Sequence, residues 1–303
     1  MARKISNVPA SICARLQNVA RRKRADFQNI LVRYALERLL FRLSLSPYKD
    51  LFVLKGAMLY AVWPEALHRM TRDLDLLSSN SHEAESLAEI FRKIFQQEVD
   101  EDGLVFDVEA MDVVAIRDDR MYGGIRLRTT ARLGNAAIPV RIDIGFGDAV
   151  TPDPVEVEYP VLLDQPAPRI NAYPRETVVA EKFEAMMVLG LGNSRMKDLY
   201  DLFFMSRTFS FNGAGLAAAV EATFKRRGTP IPDEIPLCLT GAFSENRQKI
   251  QQWQSFLARE ALAGELDLEQ VILDLAGFIM PVFDGVRDKE RTSENWHPGT
   301  GWT

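Results

Sequence analysis

Two cysteines in 303 residues, Cys13 and Cys238, are too few and too far apart for a disulfide framework or a zinc site, which fits a reducing compartment. Three histidines leave a histidine-rich metal centre without ligands. No apolar run approaches the roughly 18 residues of a membrane span. The opening "MARKISNVPASICARL" lacks the apolar core of a signal peptide, so a cytoplasmic protein with no membrane partner is expected. Internal repeats and low-complexity tracts are absent. What remains, 47% apolar and 26% charged residues, is an ordinary globular composition with length for one large core or two smaller ones.

Charge is unevenly spread. Residues 1–49 carry eleven Lys and Arg, among them Arg21, Arg22, Lys23 and Arg24, against Asp26 and Glu37, a net of +9 that leaves −14 for the rest of a chain whose formal charge is −5. Either the basic front tracks a nucleic-acid backbone or it docks on the acidic body, and composition does not decide between them.

Along the chain, Asp26 can cap a helix whose Phe27, Ile30, Leu31 and Tyr34 share one face, so residues 1–50 read as a basic helical arm. "LFVLKG" (51–56) reads as a short buried strand ending at a glycine, and "AMLYAVW" as a helix that follows. A polar helix is predicted from about Ser81 to Gln97. Three antiparallel strands follow, "VFDVEAMDVVAIR", "GGIRLRTTARL" and "IPVRIDIGFG", with Arg126 and Arg128 on one face of the second. The proline-rich stretch 152–174 reads as a crossing segment with one strand. Helices are predicted at 175–189, 195–208, 213–227, 245–259 and 267–281, ahead of a polar tail. The implied domains are the arm, an α/β core over 51–165, a helical lobe over 166–285 and the tail over 286–303.

Within "HRMTRDLDLLSS" (68–79), Asp73 and Asp75 sit at strand period, so both project to one side while Leu74 and Leu76 project to the other. Two like charges held so close require a compensating cation. An isolated Asp-x-Asp is more often a pair of solvated positions, and its surroundings decide. A glycine turn before a helix, followed by a strand with two acids, is the layout of the nucleotidyltransferase fold: a mixed α+β sheet of the polymerase-beta type. Mg²⁺ takes oxygen ligands and carries a nucleotide's phosphates, and two acids on one strand face can hold it. Gly56 permits close backbone approach and can open a helix N-terminus to phosphate. Asp143, in "VRIDIGFGD", is the candidate third acid, completing the metal site or activating an acceptor hydroxyl. Lys55, Ala57 and Thr71 are candidates to line the phosphate pocket. Ser78, Ser79 and His82 lack the spacing of a nucleophilic triad.

"FVLKGAMLY", "HRMTRDLDLL", "VRIDIGFGD", "APRINAYPRETVVAEKFEAMMVLGLGNSRMKDLYDLFF" and "ATFKRRGTPIP" together resemble the AbiEii/AbiGii family of nucleotidyltransferase toxins of bacterial toxin–antitoxin systems, over nearly the whole chain. The resemblance implies Arg69 and Thr71 ahead of the acidic pair, a functional Lys182 in "AEKFEA", and Asp198, with Asp201 one turn later, in "RMKDLYD". The glycine turn departs from the family's Gly-Gly or Gly-Ser, being Gly56-Ala57. The spacing of Arg195, Asp198 and Asp201 equally fits a helix laced with local ion pairs. The activity implied is transfer of a nucleoside monophosphate from an NTP, with Mg²⁺, onto an acceptor such as the 3′ end of tRNA, under control of a cognate antitoxin. The alternatives are a non-catalytic RNA- or partner-binding protein of the same fold, and an adenylyltransferase acting on a small molecule or a protein.

Overall fold

The computed structural model describes residues 7–63, 71–79, 83–116, 123–260, 262, 266–287 and 294–303. The chain forms two compact units, one of Met1–Gly147 with Val155–Tyr173, the other of Asp148–Pro154 with Pro174–Thr303.

The first unit opens with helix α1 (Val8–Lys23), capped by the Asn7 side chain and closed by Arg24 in the left-handed conformation. Helix α2 (Phe27–Leu45) follows, and the Asp26 carboxylate accepts the Asn29 N–H at 3.0 Å, as the sequence predicts. α2 is buried around most of its circumference and packs on the sheet, so it belongs to the core. This divides the basic segment in two. Arg42 and Arg38 lie buried on Asp102, at 2.5 and 3.4 Å, and Lys49 reaches Glu156 at 2.5 Å. Arg21, Arg22, Lys23 and Arg24 are exposed and, among the described residues, pair with no carboxylate.

Strands β1 (Phe52–Lys55) and β2 (Asp73–Ser78), helix α3 (Ala84–Phe95), and strands β3 (Leu104–Phe106), β4 (Asp112–Ile116), β5 (Gly124–Leu133), β6 (Ala136–Phe146), β7 (Val155–Glu158) and β8 (Arg169–Ala172) complete the unit. The sheet order is β3-β5-β6-β2-β1-β8-β7, with β4 also on β5. It is mixed: β2 runs parallel to β6 and β1 to β8, while the other pairs are antiparallel. β8 lies in the stretch expected to be a crossing segment. The segment after Gly56 is a short 3₁₀ turn, Gly56–Ala61, in place of the expected α-helix. Leu74, Leu76, Leu127, Ile142 and Ile144 fill one face of the sheet almost without exposure. At about 2 kcal/mol for each such side chain, that layer fixes which way β2 and β6 turn.

The second unit holds helices α4 (Arg175–Leu189) and α5 (Met196–Thr208), strand β9 (Phe211–Asn212), helices α6 (Gly213–Arg227), α7 (Gly241–Ser244), α8 (Arg247–Arg259) and α9 (Leu268–Arg287), and strands β10 (Asn295–His297) and β11 (Gly301–Trp302). α9 runs on past Pro281, where the sequence reading ended it. The C-terminal residues form a hairpin paired to β9. Trp296 and Trp302 anchor it, donating indole N–H groups to Ser206 O at 2.7 Å and Phe278 O at 3.1 Å. No described helix is long and apolar enough to cross a membrane.

Candidate active site

With Leu74 and Leu76 buried, strand alternation turns Asp73 and Asp75 to the opposite, half-open face. Register builds the rest of that face. Asp75 lies opposite Asp143 on β6 and opposite Lys55 on β1, and Asp143 lies opposite Arg126 on β5. One row therefore reads Lys55, Asp75, Asp143, Arg126. The neighbouring row reads Asp73, Arg141, Arg128, Asp112. Directly opposed residues share a face, so four cations meet four carboxylates there. Arg141 reaches Asp73 at 3.2 Å, Arg128 stands 4.0 Å from Asp112, and Arg126 grips Asp143 with two bonds of 2.7 and 2.6 Å.

Gly56 closes β1 beside this row with φ +71°, and its Cα packs against the Asp75 carboxylate. A six-residue 3₁₀ turn carries little of the dipole that a full helix N-terminus would offer a phosphate. Close approach is what the glycine supplies here. Ala57, half-buried, continues the turn, and the Lys55 ammonium lies 5.0 Å from the centre of the Tyr173 ring. The Thr71 hydroxyl donates to Asp73 O at 3.2 Å and so fixes the entry to β2. Arg69 lies outside the described residues.

In the second unit, Lys182 on α4 donates to Asp198 Oδ1 and Asp201 Oδ2 on α5, both at 2.8 Å. The Arg195 guanidinium approaches Asp198 Oδ2 at 2.6 Å. Both carboxylates are only 3% exposed. Burial alone would push Asp198 up, but Lys182 and Arg195 beside it hold it below the ordinary carboxylate value. Asp201 shares Lys182 equally, so the cation is clamped by two acids one turn apart. The expected residues thus fall into two groups: Lys55, Gly56, Ala57, Thr71, Asp73, Asp75 and Asp143 in the first unit, Lys182 and Asp198 in the second.

Hard carboxylate oxygens on β2 suit Mg²⁺. Among the described residues, however, no three His, Cys, Asp or Glu side chains converge closely enough to hold an ion. Asp143 gives both oxygens to Arg126, which leaves Asp73 and Asp75 as the pair that would hold Mg²⁺. Arg126 is the residue that sequence reasoning passed over. The signal was available: a two-residue turn at Gly134-Asn135 pairs Leu133 with Ala136, and counting back from it brings Arg126 to Asp143.

Residues 38–274 match the family described as Nucleotidyl transferase AbiEii toxin, Type IV TA system. No curated protein matches the chain. Among solved structures, JHP933 from Helicobacter pylori is similar with a TM-score of 0.50 and 14% identity, over 88% of this chain and 97% of that one. MenT4, a nucleotidyltransferase toxin from Mycobacterium tuberculosis H37Rv, is similar with a TM-score of 0.52 and 16% identity, over 90% of this chain and 98% of that one. At these identities the structural likeness is one of fold.

Proposed function

The chain belongs to the AbiEii family of nucleotidyl transferase toxins, and on that premise we propose that it moves a nucleoside monophosphate from an NTP, with Mg²⁺, onto an RNA acceptor, the 3′ end of tRNA being the narrowest form of the reading. The observation that carries it is the pair Asp73 and Asp75 on the open face of β2, with Asp143 in register beside them and Gly56 packed against Asp75.

Asp73 and Asp75 would hold the ion. When bound, Mg²⁺ offsets triphosphate charge and lowers the barrier to attack at the α-phosphorus. Gly56 keeps the backbone close to Asp75, and Lys55, Ala57 and Thr71 border the phosphates, with Arg69 assigned to the same border by the family pattern. Asp143 accepts the proton of the acceptor hydroxyl. That oxygen forms a bond to the α-phosphorus, the bond to the bridging oxygen breaks, and pyrophosphate leaves. The family pattern assigns a functional role to Lys182, which Asp198 and Asp201 hold in place within the second unit.

Support for an RNA acceptor comes from the exposed Arg21–Arg24 cluster. A cognate antitoxin is the partner that the family's toxin–antitoxin description implies. The test is to incubate the protein with each α-labelled NTP and Mg²⁺ in the presence of total RNA, protein extract or small metabolites. Label is expected in RNA. Label confined to protein or metabolites would overturn the acceptor assignment.

A further inference from the structure

Asp143 works in competition with Arg126, from which both its oxygens accept. The guanidinium presents Nε to Oδ1 at 2.7 Å and Nη2 to Oδ2 at 2.6 Å, the two-pronged geometry in which arginine binds carboxylates most firmly. The fork takes one lone pair on each oxygen of Asp143, so a metal ion or an acceptor hydroxyl has to compete with Arg126 for this carboxylate. The pair is only partly buried, with Arg126 29% and Asp143 19% exposed, so a ligand arriving from solvent can reach both partners. The bond to Asp143 raises the Arg126 pKa, and the charges of Asp73 and Asp75 add to it, so this side chain stays a cation beside all three acids.

Resting on the assignment of Asp73 and Asp75 to Mg²⁺, we propose that Arg126 is an ionic latch on Asp143, a positioning residue that competes with metal ion and acceptor hydroxyl for this carboxylate until a bound nucleotide offers the guanidinium its phosphates instead.

Charge balance is the physical reason. Without substrate, the four carboxylates of this face are matched by Lys55, Arg126, Arg128 and Arg141. A divalent ion arriving alone meets acids that already have partners. A triphosphate changes the balance, because its oxygens can take the same arginine fork that Asp143 held. Exchanging one forked anion for another conserves the hydrogen bonds of Arg126 and releases Asp143 only when nucleotide is present. Metal and nucleotide binding are therefore coupled, and the base is formed only when there is something to transfer.

The test uses Mn²⁺ as the probe, its unbound fraction read by electron paramagnetic resonance on the full chain without nucleotide, alongside melting curves. Arg126→Ala should bind Mn²⁺ about tenfold more tightly than the wild type, the low end of what removing one neighbouring charge does to an ionic site. Adding Asp143→Asn should return the affinity to the wild-type value, since the gain comes through that carboxylate. Arg126→Lys, with a point charge in place of a fork, should fall between. With a non-hydrolysable NTP analogue the order reverses: nucleotide should tighten Mn²⁺ binding more in the wild type than in Arg126→Ala. Equal Mn²⁺ affinity in wild type and Arg126→Ala, or a gain that persists with Asp143→Asn, overturns the latch while leaving the metal pair standing. Should Arg126→Ala not fold, Arg126→Lys decides, and an affinity no higher than wild type overturns the proposal. Absence of Mn²⁺ binding in every variant, with and without the analogue, would overturn the metal assignment and the latch with it.

Discussion

The carboxylate of Asp75 rests on the Cα of Gly56: a Cβ built on that glycine would stand 2.0 Å from Asp75 Oδ2, and the glycine's φ is +71°. Gly56→Ala therefore faces two obstacles, a left-handed backbone costing on the order of 1 kcal/mol and a clash that only movement of Asp75 can relieve. An ångström of displacement at a reacting centre can cost about a hundredfold in rate. The expected outcome is a loss of that order in kcat/KM with a fall of a few degrees in Tm. Wild-type activity in a folded Gly56→Ala protein would mean that Asp75 does not work from this position.

The Lys182 ammonium offsets the burial of Asp198 and bridges it to Asp201. Removing one partner of a buried ionic group typically costs about 3–5 kcal/mol, and Lys182→Ala should lose stability of that size in urea at pH 7. The folded Asp198 pKa is depressed, so its stabilisation is present above the unfolded carboxylate value and is lost as pH falls through the folded one. The gap between wild type and Lys182→Ala should thus narrow in strong acid. A gap that stays constant with pH would show that the clamp is not ionic.

Much of the candidate site's geometry could be read from sequence because its signals are local. Strand period put Asp73 and Asp75 on one face, and Asp143 stood in an equally regular strand. Helices α4, α5 and α6 had clear turn residues at their ends. What escaped depends on partners far along the chain. Arg126 matters through register with Asp143, and β8 is a four-residue strand among prolines, made by pairing with β1 and β7. The C-terminal hairpin has no apolar period at all, only two tryptophans that find Ser206 and Phe278. The basic front split because α2 is buried nearly all round, which forces Arg38 and Arg42 onto Asp102, whereas Arg21–Arg24 at the end of α1 make no ion pair among the described residues.

Glu37 is fully buried on α2, with Oε2 accepting the Leu162 N–H at 2.8 Å. Burial pushes it up to about 7, against the pull of that bond and of Arg38 and Arg33. A pKa raised above the unfolded 4.5 means that its contribution is fully present below the unfolded value and is lost as pH rises through 7. Wild-type stability should fall by up to about 3 kcal/mol between pH 5 and 8 from this group, and Glu37→Gln should remove that slope. Urea titrations at the two pH values check it, and parallel slopes would exclude Glu37 as the cause.

Neutralising Arg21, Arg22, Lys23 and Arg24 together should weaken RNA binding about equally for all sequences and flatten its salt dependence, because each phosphate contact releases counterions. Their exposure and lack of acidic partners among the described residues mean that Tm should change little. A lowered Tm with an unchanged salt slope would assign these charges to the fold.

Metal-dependent transfer through Asp75 is read most directly from label passing from an α-labelled NTP to tRNA with the wild type and with Asp75→Asn, with and without a chelator, on proteins of matched Tm. Neutralising Asp75 removes a repulsion as well as a ligand, so the variant should fold as well as the parent. Label on RNA is expected from the wild type alone, abolished by chelation. Equal labelling by Asp75→Asn, or labelling that survives removal of divalent ions, would contradict it.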